Sequence, residues 1–332
     1  FSENSSSEET ANTSYEYNYE YDEVCDKQNV ARIGSIAVPL VFSFVVLFSL
    51  VGNILVLVFL PHSWHSQIYR LLCNLAISDL IFTAGLPFWS CQFIWGWTFG
   101  DVMCKGVSFV FSVGFYSSIV FMMMISLWHY LRVFHVFLML TTFFRAATFL
   151  SWVISIALAV PALFQSSVVS DTDDPNRLYC MHNSNGAKLA ATYQQNSLFV
   201  VAFLLIGFCN IRVGQKLNLT KTLDRVRVYR FLRVILCIVI FFFIGWAPYN
   251  IVMFLQSRSY YHINDFTDCN MSDNLDYALY VCTMLAFSHC CINPVLYAFT
   301  RETFWKRLRE ILPCTEIPAD AQQPQIAELN DD

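Results

Sequence analysis

The sequence predicts an all-α membrane protein: a bundle of seven transmembrane helices followed by a short amphipathic eighth helix. The chain of 332 residues is 56% hydrophobic and 14% charged, whereas soluble domains carry about 25% charged residues. Its apolar residues fall into seven runs, and each run is long enough for a helix to cross a bilayer core of about 30 Å. Several runs contain proline, which membrane helices tolerate because neighbouring groups re-satisfy the freed carbonyl.

The seven predicted spans divide the chain into three parts. A segment over residues 1–32 precedes the transmembrane domain at 33–300, and a tail follows at 301–332. Because residues 1–24 contain no apolar core, we expect no cleavable signal peptide and expect the first span to direct insertion. The spans cover residues 33–60, 68–92, 101–134, 144–164, 192–218, 228–256 and 273–299, with prolines at Pro87, Pro161, Pro248 and Pro294.

The eighth helix is predicted from an amphipathic pattern after the last span. Apolar residues share one face of the segment 301–312, beside basic residues, which is typical of a helix lying on membrane lipids. Cys314 follows it and could carry a palmitoyl chain or remain a plain thiol. The apolar residues are Phe304, Leu308, Ile311 and Leu312, and the basic ones are Lys306, Arg307 and Arg309.

Charge predicts the orientation in the membrane. If the N-terminus is outside, the inner segments hold 14 of the 20 Lys and Arg residues, and an inner excess of these residues is the established orientation signal. Eight of the 25 acidic residues lie in residues 1–26. We therefore predict a multi-pass plasma membrane protein with an extracellular N-terminus and a cytoplasmic C-terminus.

The outer segments carry modification signals. Tyrosines alternate with mostly acidic residues at Tyr15, Tyr17, Tyr19 and Tyr21, a pattern typical of tyrosine sulfation. Asn4, Asn12 and Asn270 begin outer glycosylation motifs, whereas Asn218 matches the motif but falls inside. Four cysteines are outside, where disulfides persist, namely Cys25, Cys104, Cys180 and Cys269.

Motifs along nearly the whole chain resemble rhodopsin-class G-protein-coupled receptors and, within that class, chemokine receptors. They are Gly52-Asn53, Asn74-Leu75-Ala76-Ile77-Ser78-Asp79-Leu80, Leu86-Pro87-Phe88-Trp89, Trp246-Ala247-Pro248-Tyr249-Asn250 and the run from Ala286 to Tyr297. The run His289-Cys290-Cys291-Ile292-Asn293-Pro294 and the second outer cysteine pair are the most specific features. Residues 276–297 and the segment around Gly96-Trp97 look most like XC-type receptors, with CC-type receptors the near alternative.

The resemblance implies a function and its partners. It implies a cell-surface receptor that binds a small basic chemokine and signals through a heterotrimeric G protein of the Gi type, with arrestin as a further partner and no nucleic acid. It implies disulfides Cys104–Cys180 and Cys25–Cys269. The ligand-binding positions it implies are Phe42, Trp89, Phe111, Tyr249 and Thr283, in addition to the four N-terminal tyrosines.

The resemblance also implies an ion site and an activation switch. Asp79 is the only acidic residue placed deep in the membrane, where a buried charge is a functional hypothesis by default. In the family this carboxylate helps to hold sodium, and Ser118 and Asn293 match positions near it. A neutral, hydrogen-bonded Asp79 and plain packing of the aromatic residues are the alternatives. The switch positions are Trp128, His129, Tyr130, Asn210, Trp246, Pro248, Asn293, Pro294 and Tyr297.

Three departures from the family pattern leave a second function open. The inner end of helix three reads Trp128-His129-Tyr130 where Asp-Arg-Tyr is usual, Asn210 replaces an inner tyrosine, and Thr283 replaces a frequent Glu. Histidine cannot supply the five fixed donors of arginine. The alternative is a scavenger that binds chemokine without efficient coupling, although most receptors this similar signal. The sequence shows no convergent catalytic groups, so we expect no enzyme.

Replacing Tyr15, Tyr17, Tyr19 and Tyr21 with Phe should weaken chemokine binding several-fold, because sulfate adds fixed negative charge that attracts a cationic ligand. Binding of labelled chemokine to cells measures the effect, with Asn18→Gln as the control that keeps all four tyrosines. Unchanged affinity would mean that the acidic segment is merely solubilising.

Overall fold

The computed structural model describes residues 28–59, 67–134, 140–170, 177–219, 225–259 and 269–300. Seven helices in these ranges are long and apolar enough to cross a membrane, which confirms the predicted bundle. The helices are α1 (Gln28–Phe59), α2 (Gln67–Trp95), α3 (Gly100–Val133), α4 (Leu140–Gln165), α5 (Asn185–Leu219), α6 (Arg225–Ser259), α7 (Cys269–Phe287) and α8 (His289–Thr300). Each of the first seven begins before its predicted start, by seven residues in α5.

The outer faces of the bundle are apolar, as contact with lipid requires. Along α1, Ile36, Leu40 and Phe44 follow one another at four-residue spacing and are 65%, 60% and 56% exposed. Such a continuous apolar stripe would be a liability in water. In contrast, 67% of the most apolar stretch of α3 is buried. Helix α3 is therefore the most buried of these spans, and it packs against α2, α4 and α5.

A two-stranded hairpin, which was not predicted from the sequence, covers one end of the bundle, here called the hairpin end. Strands β1 (Ser166–Ser170) and β2 (Leu178–His182) pair antiparallel, with Val168 opposite Cys180. A disulfide joins Cys180 to Cys104 in the first turns of α3, so this predicted bond is confirmed. Burial, with a smaller contribution from Lys188, lowers the pKa of His182, which keeps the imidazole neutral at neutral pH.

Helix α2 and the connection that follows it hold the hairpin through hydrogen bonds as well. The Cys180 N–H donates to Gln92 Oε1 at 2.7 Å, and the Trp97 N–H donates to the Leu178 carbonyl at 2.6 Å. Gly96 precedes Trp97 with φ of +79°, and a Cβ there would lie 2.9 Å from the Leu178 carbonyl oxygen. Only glycine suits both the backbone conformation and the close approach, so the Gly96-Trp97 pair positions the hairpin.

The seventh span is not the single continuous helix expected from its hydropathy. Helix α7 ends at Phe287, Ser288 forms a turn, and α8 begins at His289. At this break the Cys291 N–H donates to the carbonyl of Ser288, only three residues earlier, at 3.1 Å. Helix α8 is thus the continuation of the seventh span, and the predicted surface helix at 301–312 lies outside the described residues.

Peptide mapping without reduction should show Cys104 linked to Cys180 and Cys269 linked to Cys25. Cys269 is disulfide-bonded, while Cys25 lies outside the described residues. Cys25→Ser should therefore make Cys269 reactive to alkylation in the folded protein. The buried free thiol Cys282 serves as the unlinked control, and an alkylatable Cys25 in unaltered, ligand-binding protein would contradict the second link.

Candidate functional site

The four aromatic residues among the ligand-binding positions predicted on the helices belong to one cluster at the hairpin end. Trp89 of α2 lies edge-on to Phe111 of α3, with ring centroids 6.0 Å apart. Phe42 of α1 is buried and stacks on Phe287 at 5.5 Å. Thr283 lies one turn before Phe287 on α7 and is half-buried. Four helices thus contribute to one lining.

Phe287, which was not singled out from the sequence, is the centre of this cluster. Besides Phe42, its ring contacts Phe111 at 5.2 Å and Tyr249 of α6 at 6.2 Å. Its position one helical turn after Thr283 was the available signal, because residues four apart share a helix face. The family motif begins at His289, so the prediction centred on residues that follow Phe287 in the chain.

Trp246 lies directly beneath this aromatic cluster, toward the middle of the bundle. It is 2% exposed and packs against Phe115 at 4.5 Å and Phe287 at 5.8 Å. The Asn250 side chain donates to the Trp246 carbonyl at 2.8 Å, beside the proline of α6 at Pro248. Trp246 therefore connects the aromatic cluster to the polar centre below.

Asp79 is the centre of a fully buried polar cluster. Ser118 Oγ donates to its Oδ1 at 2.9 Å, and Asn293 Nδ2 donates to its Oδ2 at 2.7 Å. His289 Nε2 lies 3.9 Å from Oδ1. The structure thus brings together the three residues predicted for sodium, and places His289 next to them.

These three side chains fit a small hard cation, because a carboxylate and a hydroxyl supply the oxygen ligands that such ions prefer. Asp79 and Ser118 would hold the ion, and Asn293 would hold the carboxylate in place. The charge of the ion would offset the cost of burying the carboxylate. Sodium binding stays a prediction. Among the described residues, no group of three or more His, Cys, Asp or Glu side chains could hold a metal ion.

The Ser-His-Cys-Cys sequence has a direct structural role at the break between α7 and α8. Each of these four side chains contacts the backbone carbonyl three residues before it. Such contacts satisfy carbonyls where the regular helical pattern changes. Ser288 Oγ, His289 Nδ1, Cys290 Sγ and Cys291 Sγ lie 2.6, 2.7, 3.2 and 2.9 Å from the carbonyl oxygens of Leu285, Ala286, Phe287 and Ser288.

Helix α1 supplies the donor that Pro294 removes. Proline has no N–H, so the carbonyl four residues earlier, that of Cys290, loses its helical partner. Asn53 Nδ2 donates to that carbonyl at 2.9 Å. Gly52 allows the approach, since a Cβ there would lie 2.7 Å from Pro294 Cβ. The Gly-Asn motif of α1 and the Asn-Pro motif of α8 are therefore one structural unit.

The opposite end of the bundle contains the departures from the family pattern. His129 is buried and lies edge-on to Trp128 at 4.8 Å. Asn210 donates to the carbonyl of Ile206 in its own helix at 2.9 Å. Tyr130 reaches α5 through its ring contact with Phe208 at 5.8 Å. The Asn210 amide is thus engaged within α5.

Several predicted site residues fall at the margins of the described ranges or outside them. Asn270 is exposed in the first turn of α7, where a glycan would have room. The side chain of Tyr297 lies outside the described residues. So do the N-terminal positions Tyr15, Tyr17, Tyr19, Tyr21, Asn4 and Asn12, together with Cys314.

The chain is similar to known proteins along most of its length. The sequence pattern of the family described as 7 transmembrane receptor (rhodopsin family) matches residues 52–297. The chain is 35% identical over 316 residues to atypical chemokine receptor 2 of Mus musculus, with 92% of this chain and 82% of that protein covered. It is 33% identical to human C-C chemokine receptor type 8, covering 93% and 88%. It is 34% identical to human chemokine XC receptor 1, covering 84% and 82%.

Asn53→Ala should lower the thermal midpoint of the purified protein by several degrees. The change removes the shorter of two hydrogen bonds to the buried Cys290 carbonyl and leaves it only the Ser49 hydroxyl at 3.4 Å. A poorly satisfied buried polar group costs about 1–3 kcal/mol. Ile54→Ala is the matched control, because the Ile54 side chain, next to Asn53 in the sequence, is 50% exposed on the lipid face. Equal shifts for the two variants would contradict the role assigned to Asn53.

Proposed function

Because this chain belongs to the chemokine receptors, a branch of the rhodopsin family of seven-transmembrane receptors, we propose that it binds a small basic chemokine at the hairpin end. Its relatives are receptors, so the prediction that it is not an enzyme is confirmed. The aromatic cluster beneath the disulfide-anchored hairpin is the observation that carries the proposal. Aromatic walls with few polar groups suit a small, partly apolar peptide end.

The hairpin end faces the outside of the cell in this proposal. The inner excess of Lys and Arg supports that orientation. So does the Cys104–Cys180 disulfide, because such bonds persist in an oxidising compartment. The acidic tyrosine-rich segment 15–23 then precedes α1 on the same side and attracts the cationic ligand before its flexible end enters between the helices.

We propose that coupling to a G protein is weak and that the main output is ligand capture and uptake. In signalling members, an arginine and a tyrosine at the positions of His129 and Asn210 bridge the open inner face. Here the imidazole is buried against Trp128, and the Asn210 amide bonds to its own helix. A hydrogen bond to a charged group is worth about 1.5–3 kcal/mol, so the absence of one is enough to shift a two-state population tenfold or more.

Signalling through a Gi-type protein is the second candidate. The basic stretch from Arg212 to Arg233 favours it, because positive charge at the inner face suits an acidic partner surface. Arrestin capture has little support in residues 313–332, which contain one Thr and no Ser.

Introducing His129→Arg and Asn210→Tyr together should raise agonist-driven G-protein activation about tenfold or more, because the pair restores the usual bridging groups. A panel of labelled chemokines applied to cells first identifies the agonist, with G-protein activation and ligand uptake read in parallel. His129→Lys is the matched control, since lysine adds the charge without the rigid donor fork of arginine.

A second control introduces the tyrosine ring at the position next to Asn210. Ile211→Tyr adds a tyrosine next to Asn210 at a position that is 63% exposed on the lipid face, and it should leave activation unchanged. A strong response in the unaltered receptor that the double substitution does not increase would contradict weak coupling and favour the signalling function.

A further inference from the structure

Arg177 lies at the mouth of the proposed ligand cavity, immediately before strand β2, and contacts on several sides fix its position. Its Nη2 atom donates to the carbonyl of Phe93, in the last turn of α2, at 3.1 Å. Its guanidinium lies over the ring of Tyr179, 5.6 Å from the ring centroid. Gly96 leaves room for the Arg177 side chain, since a Cβ at Gly96 would lie 3.1 Å from Arg177 Cγ. The guanidinium is therefore held in one orientation.

The contacts of Phe93 place this guanidinium above the aromatic cluster. Phe93 follows Trp89 by one helical turn on α2 and lies edge-on to Tyr280 of α7, with ring centroids 5.7 Å apart. Tyr280 in turn precedes Thr283 by about one turn on α7. Phe93 and Tyr280 thus form the layer between the aromatic cluster and the hairpin, and Arg177 adds a positive charge to that layer.

Arg177 retains hydrogen-bonding capacity that the described residues do not use. A guanidinium has five N–H donors in a rigid fork, and the Phe93 carbonyl accepts from one of them. The Nε atom is buried and has no hydrogen-bond partner among the described residues. A buried donor without an acceptor is costly, and more so when it is charged. A carboxylate matches the fork best, because two parallel hydrogen bonds can form at once.

A fixed negative charge belongs to the same layer. Asp276 lies one turn before Tyr280 on α7, and both Asp276 and Arg177 act electrostatically on the Tyr280 hydroxyl. One oxygen of Asp276 accepts from Gln256 Nε2 of α6 at 2.9 Å, so this carboxylate is held by the neighbouring helix. A ligand end that enters here meets opposite charges on two sides, and its own charge pattern therefore decides how well it fits.

We propose that Arg177 is an anion-binding position that selects chemokines whose flexible end carries an acidic side chain. The inference rests on the proposed function, in which that end enters from the hairpin end, and it names a specificity-determining contact. The acidic segment 15–23 attracts a basic chemokine over long range, whereas a carboxylate in the flexible end pairs with Arg177 only after docking. An end without a carboxylate leaves the buried Nε–H without an acceptor, and this penalty is the basis of the selection.

A titration without chemokine tests the anion site by itself. N-acetyl-glutamate added to purified, unliganded receptor should shift the NMR resonance of the Arg177 Nε–H group, which Arg177→Lys removes and thereby assigns. N-acetyl-glutamine, which has the same shape without the side-chain charge, should shift it much less. Equal shifts with the two compounds, or no shift with either, would overturn the proposal even if no chemokine bound.

The ligand arm is a double-mutant cycle on cells, with the chemokine that the labelled panel identifies. Arg177→Gln should weaken binding of that chemokine about tenfold, and so should an amide in place of the carboxylate in its flexible end. Because both changes remove the same contact, the two together should weaken binding no more than either alone. Arg177→Lys keeps the charge without the fork, so it should recover only part of the affinity.

Arg258→Gln is the matched control, because Arg258 is an exposed residue in the last turn of α6, at the same end of the bundle. Loss of this positive charge should leave the affinity for a basic ligand unchanged or slightly raised, whereas Arg177→Gln should lower it. Equal losses for the two variants, additive losses in the cycle, or a tightly bound chemokine without a carboxylate in its flexible end would each overturn the proposal.

Further variants show whether the chain itself supplies the anion. The sequence between β1 and β2 carries Asp171, Asp173 and Asp174, and an N-acetyl-glutamate shift that appears only after their replacement with Asn would contradict selection of the ligand. So would a loss of affinity in Arg177→Gln that disappears once the four N-terminal tyrosines are Phe, because Arg177 would then hold a sulfated tyrosine. Failure of every chemokine to bind would refute the proposed function, and the N-acetyl-glutamate titration would still decide whether Arg177 binds anions.

Discussion

Inside a bilayer, every backbone polar group must find its partner within the protein, and this requirement shapes the whole bundle. This requirement is hard to satisfy in the seventh span, because Pro294 has no N–H donor and the helix breaks at Ser288. Asn53 of α1 satisfies the Cys290 carbonyl, and four consecutive side chains cover the carbonyls at the break. The break can therefore persist, and it places an aromatic ring on one side and an imidazole on the other.

This arrangement divides the bundle into a fixed part and a part able to move. At the hairpin end, the Cys104–Cys180 disulfide and the Gln92 contact fix the hairpin to α2 and α3. Around the break, the contacts are single hydrogen bonds, weak thiol donors and ring edges, each of which can be exchanged for another at small cost. The hairpin end is thus tied more firmly than the break in the seventh span.

The spans and Asp79 could be predicted from sequence, because hydropathy reports the bilayer directly and a buried carboxylate among apolar residues is conspicuous. Its partners Ser118 and Asn293 were predicted only from the resemblance to the family. The hairpin could not, since residues 166–170 and 178–182 are too short and too weakly alternating to distinguish from a loop. Phe287 escaped prediction for a related reason: a phenylalanine in an apolar helix is ordinary, and its importance comes from rings on four other helices that only the folded chain brings around it.

The departures at the opposite end fit the same division. His129 packs against Trp128, and the Asn210 side chain bonds to its own helix. The fold therefore does not depend on an arginine or a tyrosine at these two positions. In the proposed function, the contacts that would bridge the open inner face are additional to those that form the core. A sequence can therefore lose the bridging contacts while keeping the core, and with it the capacity to bind at the hairpin end. Selection for ligand capture alone would preserve the disulfide, the aromatic cluster and the helix break, and would leave the inner face free to change.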